Sequence, residues 1–173
     1  AEIIIAFASK IYPWEEDFFY FDILVDLLSG GMHSLLMRRL RTELHLVYNV
    51  KVYLESEIIG TLATIETTGD QGKTKLIIKS IKSVLKDLIK GNWSEDHIVR
   101  LKDKFFIRDE KICKNNIFFG DFYGEQYLYQ LYKEKPKITT TKQKRDLIKK
   151  LTKKKLINVA KRVFPMQKMV TLY

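Results

Sequence analysis

Residues 3–8 form an unbroken apolar run, the pattern of a strand buried on both faces. A loop over 9–13 follows, and Pro13 with the acidic trio Glu15, Glu16 and Asp17 predicts a helix start, where negative charge suits the dipole. From 18 to 28 that helix is apolar nearly all round, with Asp22 and Asp26 on its polar edge, so it belongs inside the core. Gly30-Gly31 then breaks the helix, because glycine reaches positive φ without steric cost. His33 or, by preference, Ser34 caps a second helix, on which Leu36, Leu40 and Leu44 recur at every fourth position as a buried stripe. Arg38, Arg39 and Arg41 fall mostly off that stripe.

Alternation takes over next. Leu46, Tyr48, Val50, Val52 and Leu54 share one face of a strand by parity. Residues 55–57 read as a polar turn, and Ile59, Thr61, Ala63 and Ile65 as a second strand, which together predict an antiparallel hairpin. Helical spacing resumes over 73–90, with Ile77, Ile81, Val84, Leu85 and Leu88 as the buried stripe. Gly91 stops that helix, and Ser94 caps another that runs to about residue 115. A short aromatic helix over 121–133 carries Phe122, Tyr123, Tyr127, Tyr129 and Tyr132, which either pack in a seam or line a peptide groove. A loop over 134–141, a helix over 142–151, a helix over 153–163 capped by Thr152 and ended by Pro165, and a last apolar strand over 169–173 complete the chain. This order predicts an α+β fold of two layers, a mostly antiparallel sheet covered by helices on one face. One domain is expected over 1–173, and a chain that opens at once in a buried strand is expected to be a fragment of a longer one.

Composition changes this picture little. The 46% apolar and 12% aromatic content of the 173 residues excludes a disordered chain and suffices for a sizeable core. The net charge of +10 can attract nucleic acid, an anionic membrane or an acidic peptide, and is equally an ordinary solubility device. Lys75, Lys79, Lys82, Lys86 and Lys90 line the polar side of one helix, either as a phosphate-binding ridge or as a solvated face. No arginine or aromatic is interleaved with them as a base reader, so nucleic acid is not the expected partner. The single cysteine, Cys113, allows no internal disulfide and reads as a buried structural thiol; a reducing, intracellular setting (cytoplasm or organelle) fits it. No apolar run is long enough to span a bilayer, so no membrane partner is expected.

The chemistry-bearing residues form no active site by themselves. His33, His45 and His97 lack the spacing of a helical zinc site, and neither HExxH nor HxxEH occurs. There is no GxSxG elbow and no phosphate loop. No metal or cofactor is expected in this chain.

Leu28-Ser29-Gly30-Gly31-Met32-His33-Ser34-Leu35-Leu36, followed by Leu40-Arg41-Thr42-Glu43-Leu44-His45-Leu46-Val47-Tyr48, resembles the second domain of a half-subunit in the insulinase/pitrilysin family of inverse zinc proteases, which includes the mitochondrial processing peptidases. The likeness extends to Asn92-Trp93-Ser94-Glu95-Asp96 ahead of a long helix, and to the closing helix and strand. The chain departs from the pattern at His45, where the family usually has glycine, and this bears on the local turn and on the aim of Arg41 and Tyr48. The resemblance implies a metallopeptidase LuxS/MPP-like α+β domain, non-catalytic, that helps to build a chamber around a peptide. Zinc is then expected in a partner domain, in the same or another chain, on an HxxEH helix. The resemblance also implies that Arg41 and Tyr48 bind the substrate backbone and support the transition state across the chamber. A catalytically inactive structural subunit of the same fold is the alternative. On the residues alone, Arg41 is equally a helix-end charge and Tyr48 a core or sheet-edge tyrosine.

Overall fold

The computed structural model describes residues 1–57, 59–112, 114, 116–132 and 140–173. Strand β1 (Glu2–Ser9) lies between β3 (Gly60–Gly69) and β4 (Val170–Leu172), and β2 (Val47–Glu57) pairs with the far side of β3. The order is β2-β3-β1-β4, and each neighbouring pair is antiparallel. Ile3, Ile5 and Phe7 of β1, Ala63 and Ile65 of β3, and Val50 and Val52 of β2 point into the core. The residues between them face away from it. Ile4 and Ala6 are therefore half-buried and Ala8 exposed, so β1 is not buried on both faces as its unbroken apolar run predicts. The physical reason is that helices cover only one side of the sheet.

Helix α1 (Glu16–Ser29) packs against β2 and against α7 (Lys153–Val163), which in turn packs against β1 and α3 (Thr74–Lys90). Phe19, Tyr20, Phe21, Ile23, Leu24, Leu27 and Leu28 of α1 are all buried, as an apolar helix inside a core must be. Phe164, just past α7, meets Phe7 edge-on at 5.2 Å and Phe21 at 6.4 Å, and so joins strand to helix layer. Each fully buried side chain of this kind contributes ~1.5–3 kcal/mol. The stripe expected on α3 is buried throughout, and Gly91 ends that helix in the left-handed conformation, at φ 80°.

The polar edge of α1 has its own partner. Helix α4 (Asp96–Ile112) packs on α1 and brings Lys104 to Asp26 at 2.6 Å and Arg108 to Asp22 and Asp26 at 3.2 and 3.3 Å. Helix α6 (Thr141–Lys149) packs on α4 and opens with a capping box between Thr140 and Gln143. Helix α5 (Asn116–Tyr132) begins earlier than the aromatic pattern predicts. Its tyrosines divide: Tyr123 and Tyr129 are half-buried, with Tyr129 edge-on to Trp14, whereas Tyr127 is exposed. Cys113, Lys133 at the end of the expected aromatic helix, residues 134–139 of the expected loop, and the side chain of Tyr132 lie outside the described residues.

The hairpin is longer than its polarity suggests. Glu55-Ser56-Glu57, expected as the turn, remain in β2, with Glu57 opposite Gly60. Ile59, expected in the strand, lies in the reversal and is exposed. Gly60, at φ 146°, takes up the reversal, and charged residues can extend β2 because it is an edge strand with one open face.

Candidate functional site

The path from α1 to β2 positions Arg41 and Tyr48. Gly30 keeps an ordinary φ of −73°, and the positive φ of the break belongs to Gly31 alone, at 137°. Ser34 stands at the cap position, but its hydroxyl donates back to the Gly31 carbonyl at 2.6 Å instead of accepting from the helix. The second helix is then not one α-helix. A single α turn, α2 (Leu35–Met37), runs into a π turn over Arg38–Glu43, in which Leu44 N–H bonds the Arg39 carbonyl at 3.2 Å. The wider turn delays the apolar stripe. Leu36 and Leu40 are fully buried, but Leu44 is only half-buried, and Leu46 fills the core instead. A π turn of this kind is an uncommon element that recurs at functional sites.

His45 closes the turn at φ 50°, the left-handed conformation, while Leu46 N–H bonds the Leu40 carbonyl at 2.8 Å. Histidine here therefore adopts the backbone that glycine reaches most readily.

A β-bulge follows at once. Val47 pairs with Gly69 and Val50 with Thr67, so Tyr48 and Asn49 together oppose Thr68. The extra residue breaks the parity that groups Tyr48 with Val50 and Val52. Val47 and Val50 both point inward, and Tyr48 turns outward with 80% exposure. Tyr48 is thus not a core residue. The Thr67 hydroxyl donates to the Asn49 carbonyl at 2.6 Å and holds the bulge. Tyr48, Asn49, Lys51, Glu66 and Thr68 border a shallow depression of about 230 Å³.

The arginines of the π turn are divided by one carboxylate. Glu43 accepts from Arg38 Nε and Arg39 Nη1, both at 2.9 Å. The Arg39 hydrogen bond foremost, with that of Arg38, holds the Glu43 carboxyl below the usual carboxylate range. Arg41 has no carboxylate partner among the described residues. Its guanidinium carbon lies 4.6 Å from the centroid of the Tyr48 ring, a cation–π contact worth ~0.5–1 kcal/mol at an exposed site. The fold therefore brings together the two residues singled out in the sequence. They offer a permanently charged fork of donors and a phenolic hydroxyl at the start of an edge strand. Asn49, which supplies the extra residue of the bulge, carries no signal in the sequence.

The other candidates lie elsewhere. His45 is exposed, and His33 and His97 border a hollow between the end of α1 and α4. Burial foremost, and then the Arg100 charge, push the His97 imidazole down. Among the described residues no group of three or more His, Cys, Asp or Glu is placed to hold a metal ion. No described helix is long and apolar enough to cross a membrane. Lys75, Lys79, Lys86 and Lys90 stand exposed on α3, with Lys82 half-buried.

A family described as the peptidase M16 inactive domain matches residues 2–105. No curated protein sequence matches. Among solved structures, a protease from Helicobacter pylori superposes with a TM-score of 0.85 at 16% identity, over 98% of this chain and 39% of that one. The peptidase M16 inactive domain from Pseudomonas fluorescens gives 0.84 at 15%, over 98% and 40%. An inactive peptidase domain from Bordetella parapertussis gives 0.76 at 12%, over 99% and 91%. At such identities these structures share the fold. The chain spans about two fifths of the length of the first two.

Proposed function

The chain belongs to the family of peptidase M16 inactive domains, within a family of zinc proteases, and from that premise we propose that it is the substrate-supporting, non-catalytic domain of a zinc metalloendopeptidase. The observation that carries this reading is the Arg41–Tyr48 pair: a guanidinium without a carboxylate partner among the described residues, stacked on an outward tyrosine at the head of an exposed edge strand. An extended peptide presents carbonyl oxygens, and both side chains donate hydrogen bonds to such acceptors. As a scissile carbonyl gains negative charge, the Arg41 guanidinium and the Tyr48 hydroxyl bind it more strongly than in the ground state, which lowers the barrier. A zinc ion held by a partner domain, in the same or another chain, would supply the water activation. Glu43 keeps Arg38 and Arg39 occupied, and Arg41 is thereby left for the substrate.

The test is peptide hydrolysis by the domain together with its catalytic partner. Arg41→Ala or Tyr48→Phe should each lower kcat by ~10²–10³-fold, the cost of removing one oxyanion donor, with smaller changes in KM. Unchanged turnover in both variants overturns the proposal and leaves the domain as scaffold.

A further inference from the structure

The lysines of α3 fall on one face. Lys75, Lys79, Lys82, Lys86 and Lys90 follow one another at three- and four-residue steps, over a length of about 22 Å. The other side of the helix, from Ile77 to Leu88, is buried in the core, so the lysine face looks away from the sheet. Helix α7 packs alongside and adds Lys154 and Lys161, two turns apart and both exposed. The remaining cations of α7 are engaged elsewhere. Lys153 donates to the Trp93 carbonyl at 2.6 Å, Lys155 reaches Glu16, and Arg162 reaches Glu15 and Asp17. Among the described residues none of the outer lysines has an ion pair. Helix α7 contains no acidic residue, and the one in α3, Asp87, lies off the lysine face and accepts from Asn92 at 3.2 Å.

We propose that this outer face of α3 and α7 binds an anionic lipid surface, peripherally and without a spanning helix. The chemistry of the face selects among polyanions. Neither helix contains an aromatic residue, and the one arginine, Arg162, is occupied. Protein interfaces are anchored by tryptophan, tyrosine and arginine and are poor in lysine. Nucleic acids are read by arginine forks and held by aromatic stacking. A lipid surface requires neither, because its mobile headgroups meet lysines as point charges on flexible stems. Leu76, 48% exposed, adjoins Lys75 and Lys79 and adds an apolar side chain to the same contact. The face includes neither Arg41 nor Tyr48, so the proposal stands apart from the peptidase role.

Flotation with lipid vesicles tests it. Vesicles of phosphatidylcholine with about one third phosphatidylserine should carry the protein at low ionic strength, and vesicles of phosphatidylcholine alone should not. About 1 M salt should release it, since the screening length then falls to ~3 Å. One lysine close to such a surface is worth about fivefold in partition, so Lys79→Gln/Lys86→Gln/Lys90→Gln should weaken binding by ~10²-fold. Lys10→Gln/Lys114→Gln/Lys142→Gln removes the same charge away from α3 and α7 and should change it by less than about fivefold. Circular dichroism establishes that both variants are folded. Equal flotation with neutral vesicles, no flotation at all, or an equal loss in the two variants would each overturn the proposal. Tighter binding to a DNA duplex than to the anionic vesicles, lost in the α3 variant, would overturn it in favour of nucleic acid.

Discussion

His45 offers a direct measure of how the turn before β2 is held. Its φ of 50° places it in left-handed backbone, the one such non-glycine residue among those described. That conformation costs an L-residue ~1–2 kcal/mol, because Cβ crowds the following carbonyl oxygen. The imidazole is exposed and makes no hydrogen bond among the described residues, so its removal sacrifices little else. His45→Gly relieves the crowding but adds ~0.5–1 kcal/mol of backbone freedom to the unfolded chain. The difference predicts a net gain of ~0.5–1 kcal/mol, or a rise in Tm of ~1–4 °C for a chain of this size. His45→Val should act in the opposite direction and lose at least ~1 kcal/mol, since a β-branched residue fits left-handed backbone poorly. Urea unfolding of the three proteins, with a common m-value, reads both changes. A glycine variant no more stable than the parent, together with an unaffected valine variant, would refute the argument.

The two glycines of the helix break should fail for different reasons. Gly31→Ala meets no atom within 4 Å but forces alanine to φ 137°, and should cost ~1–3 kcal/mol in urea unfolding. Gly30→Ala has an ordinary φ, but its Cβ would lie 2.4 Å from the Asp26 carbonyl oxygen and 2.6 Å from Lys104 Nζ, so it should also loosen the Lys104–Asp26 pair; neutral substitution at either position contradicts the geometry. For His97, burial and Arg100 keep the folded pKa below the ordinary 6.5. The unfolded state then binds the proton first, so stability declines as pH falls below 6.5 and levels off beneath the folded pKa. His97→Gln should flatten that part of a stability–pH curve, and an undiminished slope would exclude the histidine as its source.

Much of the fold can be read from the residues because local pattern and tertiary demand agree. The apolar girth of α1, the stripe of α3 and the glycine that ends it at Gly91 each have one physical solution. The candidate site was readable as residues but not as geometry. A leucine at every fourth position suits an α-helix, and the π turn that rotates Leu44 off the stripe leaves no mark in that spacing. Alternation from Leu46 to Leu54 hides the bulge, in which one added residue at Tyr48–Asn49 puts Tyr48 on the face opposite Val50 and Val52. The hollow lined by Phe19, Phe105 and Phe122 was invisible for another reason: its walls come from α1, α4 and α5, far apart in the chain, and only packing brings them together.

The bulge has a consequence for the solitary domain that concerns neither peptide nor zinc. An eleven-residue strand at the border of a sheet presents a row of unpaired amides and carbonyls, a template on which copies of the chain could stack. Here the row is interrupted. The kink at Tyr48–Asn49 spoils its straightness, and the Ser29 hydroxyl at the end of α1 takes the Val52 N–H at 3.0 Å. Lys51 and Glu55 add charge to the same strand. The opposite border, β4, is only three residues long. The irregularity that turns one tyrosine outward is thus also a safeguard against polymerisation, and a sequence that smoothed β2 into a regular strand would make the domain more prone to fibre formation.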